Sequence, residues 1–186
     1  IEAAAAAGLA PVKVNMVVKR GANDDHVLAM AEHFRYSGHI LRFIEYMDVG
    51  STNGWRLDDV VSAADLVRAI DAQWPLEPLA ADYPGEVASR YRYRDGGGEV
   101  GFIASVTQPF CGGCTRARLS PEGRLYTCLF GARGYDLRSL VRGDASDTVL
   151  NDRVRSIWGA RTDRYSELRT AQTSRRPKVE MSRIGG

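Results

Sequence analysis

F-C-G-G-C-T-R-A-R-L-S-P-E-G-R-L-Y-T-C, residues 110–128, contains all three cysteines of the 186-residue chain, Cys111, Cys114 and Cys128. One C-x2-C knuckle is followed, after thirteen intervening residues, by a single Cys. Structural zinc wants four protein ligands, usually two knuckles or two Cys and two His. Three thiolates suit a four-iron cluster with one iron left free of cysteine, and that iron can bind a substrate atom. The spacing leaves cluster and zinc both open. A redox pair is weaker, because C-G-G-C runs into a strand-like R-A-R-L and not into a helix N-terminus that would depress a thiol pKa. Arg116 and Arg118 stand two apart in this extended segment, so their side chains share a face. Two guanidiniums on one face make a fork for polyphosphate or carboxylate. The bland alternative is a solvated basic edge.

The charge distribution points the same way. Residues 1–110 carry ten Lys and Arg against fifteen Asp and Glu, a net of −5, while residues 111–186 carry fifteen against eight, a net of +7. The basic half is the cysteine half, which favours an anionic partner there. An odd cysteine count argues against a closed disulfide framework. No stretch approaches ~18 consecutive apolar residues, so no membrane partner is expected. No signal peptide is visible in the alanine-rich start, and a reducing cytoplasm is the expected location. The chain begins with Ile1 inside a helix pattern, which is read as a piece of a longer protein. Such a piece would expose a strand edge and apolar faces, and poor solubility is expected of it alone.

Upstream, Val12–Lys19 (V-K-V-N-M-V-V-K) reads as a strand of a parallel sheet. Lys13 and Asn15 interrupt it on one parity, so Lys13 either points into an anion site or snorkels at a strand end. Gly21–Asp25 is a turn with Asn23 as the expected helix cap, and Val27, Met30, Ala31 and Phe34 form one apolar helix face. His26, His33 and His39 are expected to face solvent. Ile40–Met47 is a second strand carrying Arg42 and Glu45, which completes a βαβ unit. At the C-terminal end of such strands a β/α barrel carries its chemistry, and Met47 and Asp48 fall there. Ser62 and Asp65 have capping-box spacing before a helix with Leu66, Val67, Ile70 and Trp74 on its apolar face. Val87–Arg94 and Glu99–Val106 read as a hairpin around a glycine-rich turn. Ser120–Gly123 is a turn, Arg124–Phe130 a strand holding Cys128, and two short helices near 136–142 and 147–158 have Asp136 and Asp147 as expected caps. The diglycine end is either a floppy terminus or a thin tail able to enter a site.

Taken together, the chain resembles the C-terminal half of the GTP 3',8-cyclases, the radical S-adenosylmethionine (SAM) family that starts molybdenum cofactor biosynthesis. The matching stretches are P-V-K-V-N (11–15), G-A-N-D-D (21–25), L-R-F-I-E-Y-M-D-V-G (41–50), N-G-W (53–55), F-C-G-G-C-T-R-A-R-L-S (110–120), R-L-Y-T-C-L-F (124–130), D-R-Y-S-E-L-R (163–169) and the final I-G-G. The resemblance implies an α/β fold: the C-terminal part of an incomplete TIM-like (β/α) radical SAM barrel over residues 1–60, then an α+β domain over 61–186 carrying an auxiliary 4Fe-4S cluster. Cys111, Cys114 and Cys128 would be the ligands of that cluster, and its open iron would bind the guanine of GTP. Arg116, Ala117 and Arg118 would hold the triphosphate, with Lys13 and Arg42 facing the same cavity. Met47 would lie against SAM, and Gly185 and Gly186 would be a catalytic tail.

The same resemblance implies conversion of GTP to 3',8-cyclo-7,8-dihydro-GTP, with cyclic pyranopterin monophosphate synthase as the downstream partner. Oligomeric state stays open, a homodimer included. This chain lacks the C-x3-C-x2-C motif of the second 4Fe-4S cluster, the one that cleaves SAM, so it is expected to be inactive by itself. Two other readings stand beside this one. A zinc-stabilised nucleic-acid-binding module would use the basic half as its footprint. An auxiliary-cluster domain of a peptide-modifying radical SAM enzyme would show no response to GTP.

Overall fold

The computed structural model describes residues 1–170 and 176–184. Gly185 and Gly186 lie outside the described residues. The chain packs as two compact units, residues 1–47 with 56–113 and residues 48–55 with 114–186.

In the first unit the β-branched run 12–19 forms β1 (Lys13–Val18), and the apolar run after it forms β2 (Ile40–Glu45). They pair in parallel across the helix α2 (Val27–Phe34), a short helix α1 (Glu2–Ala6) having preceded β1. After α3 (Ala63–Gln73) come β3 (Leu76–Leu79), β4 (Ser89–Tyr93) and β5 (Glu99–Ile103). β5 pairs in parallel with β2 and antiparallel with β4, so the sheet is mixed and five-stranded, in the order β1-β2-β5-β4-β3. The expected hairpin is therefore the β4–β5 pair, and it extends the sheet of the βαβ unit beyond residue 60.

Alternation decides the faces. Val14, Met16, Val18, Leu41, Phe43, Val100 and Phe102 pack with Ala31, Phe34, Leu66 and Ile70 of the helices. Phe102 is the hinge of this core, stacked on Phe43 at 5.8 Å between ring centres and meeting Tyr91 edge-on at 5.5 Å. Lys13, Asn15, Arg42 and Gly101 take the opposite parity. Glu45 closes β2 with a buried carboxylate that is fully used. It accepts from the backbone N–H of Ala63 (2.8 Å), Val106 (2.7 Å) and Thr107 (2.8 Å) and from the Thr107 hydroxyl (2.5 Å). One side chain thereby ties the strand end to the first turn of α3, where a helix leaves its N–H groups unpaired, and to the loop after β5.

The forward half of the capping box forms: Ser62 accepts from the Asp65 N–H at 3.1 Å, and its hydroxyl donates to the Asp65 carboxylate at 2.7 Å. Asn23 does not cap α2. A single 3₁₀ turn, Asp24–His26, intervenes, and Asn23 instead accepts from the Lys19 N–H and donates to the Val17 carbonyl, bending the loop back onto β1. His26 and His33 are exposed, as expected, while His39 is half-buried.

The second unit is built on a small antiparallel sheet, β6 (Arg118–Leu119), β7 (Arg124–Tyr126) and β8 (Tyr135–Asp136). The S-P-E-G turn closes β6 onto β7 through the Gly123 N–H to the Ser120 carbonyl at 2.9 Å. β7 stops at Tyr126, short of the expected Phe130, and Cys128 stands in the turn after it. α4 (Arg138–Arg142) and α5 (Asp147–Gly159) follow. Leu137 holds the cap position of α4, and Asp136, one residue ahead of it, accepts from the Arg138 N–H at 2.9 Å. The cap of α5 is Ser146 and not Asp147; the serine hydroxyl accepts from the Val149 N–H, and Asp147 occupies the first turn. Leu125, Leu137 and Ile157 form the apolar centre, with Leu150 and Val154 against it. Among the described residues no helix is long and apolar enough to cross a membrane.

Candidate metal and nucleotide site

Lys13 and Arg42 stand on neighbouring strands of the first unit, on the sheet face opposite the helices. Lys13 is exposed. Arg42 is half-buried and held by a hydrogen bond from its Nε to Asn15 Oδ1 at 2.9 Å. Asn15 of the polar pair in β1 thus meets a partner and holds a cation, and Lys13 projects from the same parity. Met47 follows β2 and is half-buried. Cys111, also in this unit, opens a single 3₁₀ turn, Cys111–Gly113, and is half-buried.

In the second unit the residues after the knuckle alternate as an extended segment should. Cys114, Arg116 and Arg118 are half-buried, while Thr115, Ala117 and Leu119 are exposed. Arg116 donates from its guanidinium to Cys114 Sγ at 3.4 Å. Burial alone would raise the Cys114 thiol, but hydrogen bonds from the Arg116 backbone N–H and guanidinium outweigh it. With the added charge of Arg161 they hold Cys114 below the ordinary thiol value. Cys128 Sγ accepts from the Phe130 N–H at 3.5 Å. Burial and then the like charge of Arg116 pull the Arg118 guanidinium below its usual pKa, while the Cys114 and Cys128 sulfurs pull it up. Cys114, Cys128, Arg116 and Arg118 therefore form one electrostatic neighbourhood, in which the Cys114 thiolate is favoured and two cations are close to each other. Arg161, stacked over Trp158 at 3.7 Å, also donates to the Cys114 carbonyl.

Among the described residues no three His, Cys, Asp or Glu side chains converge closely enough to hold a metal ion. The donor chemistry is compatible with an iron–sulfur cluster: sulfurs that receive N–H hydrogen bonds beside fixed cations are surroundings that tune such clusters.

A second polar constellation in this unit escaped the sequence reading. Asp48 is 1% exposed and accepts from Arg169 Nε at 2.8 Å, from Lys178 Nζ at 3.0 Å and from the Tyr165 hydroxyl. Burial would raise its pKa, but the Tyr165 and Lys178 hydrogen bonds and the Arg169 and Lys178 charges hold it below the usual carboxylate range. Tyr165 stacks on Phe130 at 4.4 Å, and Arg169 lies over Phe130 at 5.2 Å. The available signal was Tyr165 and Arg169 four residues apart in an otherwise polar stretch.

Residues 39–167 match the family model described as Molybdenum Cofactor Synthesis C. The whole chain aligns with the GTP 3',8-cyclase of Acidothermus cellulolyticus at 51% identity, covering 58% of that protein. It aligns with that of Xanthomonas campestris pv. campestris at 54% identity, covering 54%. With that of Synechococcus sp. WH7803 the identity is 46%, again over 100% of this chain and 54% of the relative. The chain spans little more than half the length of the curated relatives it matches.

Proposed function

The chain belongs to the Molybdenum Cofactor Synthesis C family, and from that premise we propose that it is the GTP-binding, auxiliary-cluster half of a GTP 3',8-cyclase. In the full-length protein the reaction would be conversion of GTP to 3',8-cyclo-7,8-dihydro-GTP, with SAM consumed by a second 4Fe-4S cluster held elsewhere. Residues 1–60 would belong to the partial barrel and residues 61–186 to the region built around the auxiliary cluster. Cyclic pyranopterin monophosphate synthase would take the product.

The observation that carries this reading is the surroundings of Cys114. A half-buried thiol with a guanidinium on its sulfur and a second arginine close by is poised both to ligate iron and to meet an anion. Cys111, Cys114 and Cys128 would hold a 4Fe-4S cluster. When bound, it would supply a Lewis-acidic iron, free of cysteine, for a ring nitrogen or oxygen of guanine. The chain's own residues would do the rest. Arg116 and Arg118 would neutralise the triphosphate, with the exposed Ala117 between them leaving the backbone accessible. Their mutual repulsion, which adds to burial in lowering the Arg118 pKa, would be relieved by an anion between them. Lys13 and Arg42 would add positive charge from the open sheet face, and Met47 would pack against SAM. Gly185 and Gly186 would reach the substrate as a tail without side chains.

GTP protection against thermal unfolding of the iron-reconstituted protein tests the reading. A Tm rise of several degrees at saturating GTP is expected from binding to the native state alone, and it should disappear in Arg116→Ala/Arg118→Ala. Absence of protection, or protection that survives the double substitution, contradicts it.

A further inference from the structure

The segment 48–51 grips the far end of the chain at more than one point. Asp48 binds the Lys178 ammonium at 3.0 Å and the Arg169 guanidinium at 2.8 Å. Two residues on, Gly50 has φ +67°, and a Cβ there would come within 2.1 Å of a Glu180 carboxylate oxygen. The Ser51 N–H donates to the other Glu180 oxygen at 2.8 Å, and the Lys178 N–H donates to Ser51 Oγ at 3.3 Å. Beyond Glu180 the chain makes one 3₁₀ turn, Met181–Arg183, and reaches Ile184, which is 1% exposed.

A buried carboxylate shared by two cations is weak evidence for stability, because desolvation offsets much of the attraction; it is better suited to enforcing register. Here register is over-determined. Sliding residues 178–180 by one position would strand the Lys178 ammonium without its carboxylate, and would pull the Glu180 carboxylate away from the Ser51 N–H. We propose that Asp48–Ser51 is an anchor that fixes the register of residues 178–184, and that Asp48 is a positioning residue acting through Gly185–Gly186. The proposal rests on the reading that those glycines take part in catalysis.

Two variants of the full-length protein test it, Asp48→Asn and Gly50→Ala. The second displaces Glu180 without touching the buried charge. Hydrogen exchange at 178–184 is expected to accelerate about tenfold or more in both, and in Gly50→Ala exchange in α5 should stay unchanged, as for local and not global opening. GTP turnover is expected to lose kcat about tenfold while KM for GTP stays within about twofold. In a chain lacking residues 185–186, Asp48→Asn should cost no more than about twofold further, because the two changes act through one element. Slow exchange retained at 178–184 in both variants overturns the anchor. An equal loss of kcat with and without the tail overturns positioning through it. Full activity after deletion of 185–186 overturns the catalytic role of the tail and, with it, the positioning role of Asp48.

Discussion

Phe43, Phe102, Leu41 and Ile70 are fully buried in the first unit, and the carboxylate sealed among them, Glu45, is satisfied by four donors. In the second unit the apolar centre shrinks to Leu125, Leu137 and Ile157, and the buried groups include Asp48 with Arg169 and Lys178 as its partners. Apolar burial is non-directional and tolerates repacking. A buried ion pair tolerates little, because removing one partner leaves a charge without compensation. The first unit is thus held by the amount of surface it buries, and the second by the identity of a few contacts. The second is also the unit that carries Cys114, Cys128, Arg116 and Arg118.

Substitutions in the two units should therefore fail differently. Phe102→Ala removes a ring that touches two aromatic neighbours and is expected to cost about 4 kcal/mol in chemical denaturation, with the loss falling on the first unit. A cost below about 1 kcal/mol would mean that the sheet core is looser than its burial implies. Asp48→Asn is expected to cost about 3 kcal/mol, and Lys178→Met in the same background should return part of it by removing the stranded cation. No recovery would show that the carboxylate acts by something other than charge pairing. Ser62→Ala and Ser146→Ala each remove a helix cap and should cost about 1 kcal/mol, in the first and second unit respectively. Acid should divide the units most gently. The folded pKa of Asp48 is depressed, so its contribution is present above the unfolded value of about 3.9 and is lost as pH falls through the lower folded value. Stability of the second unit should be flat from about pH 5 to 7 and decline below about pH 4, which fluorescence-monitored unfolding across that range would show.

Much of the first unit was legible because its elements obey strong periods. The β-branched runs at 12–19 and 40–47, the 3.6-residue stripe on α3 and the capping box are local signals, and the structure keeps them. Asn23 and Asp147 were read as caps because they are good cap residues, but tertiary competition decided otherwise. Asn23 found two backbone partners in β1 and its loop, and Ser146 lay one position ahead of Asp147. At the candidate site, the cysteine–arginine run was legible as chemistry because its residues lie close in sequence. Asp48 was not, since its partners Tyr165, Arg169 and Lys178 are more than a hundred residues away and no spacing rule spans such a distance. Glu45 likewise looked like an interruption in a strand until its four donors, contributed by α3 and the β5 loop, were seen.

The most direct test of the account is electron paramagnetic resonance on protein reconstituted anaerobically with iron and sulfide. A 4Fe-4S signal is expected that shifts when GTP is added, and that is lost or converted in Cys128→Ser. Bound zinc in place of iron, or a cluster signal that survives Cys128→Ser and ignores GTP, would contradict the assignment of Cys111, Cys114 and Cys128 as the ligands of a substrate-binding cluster.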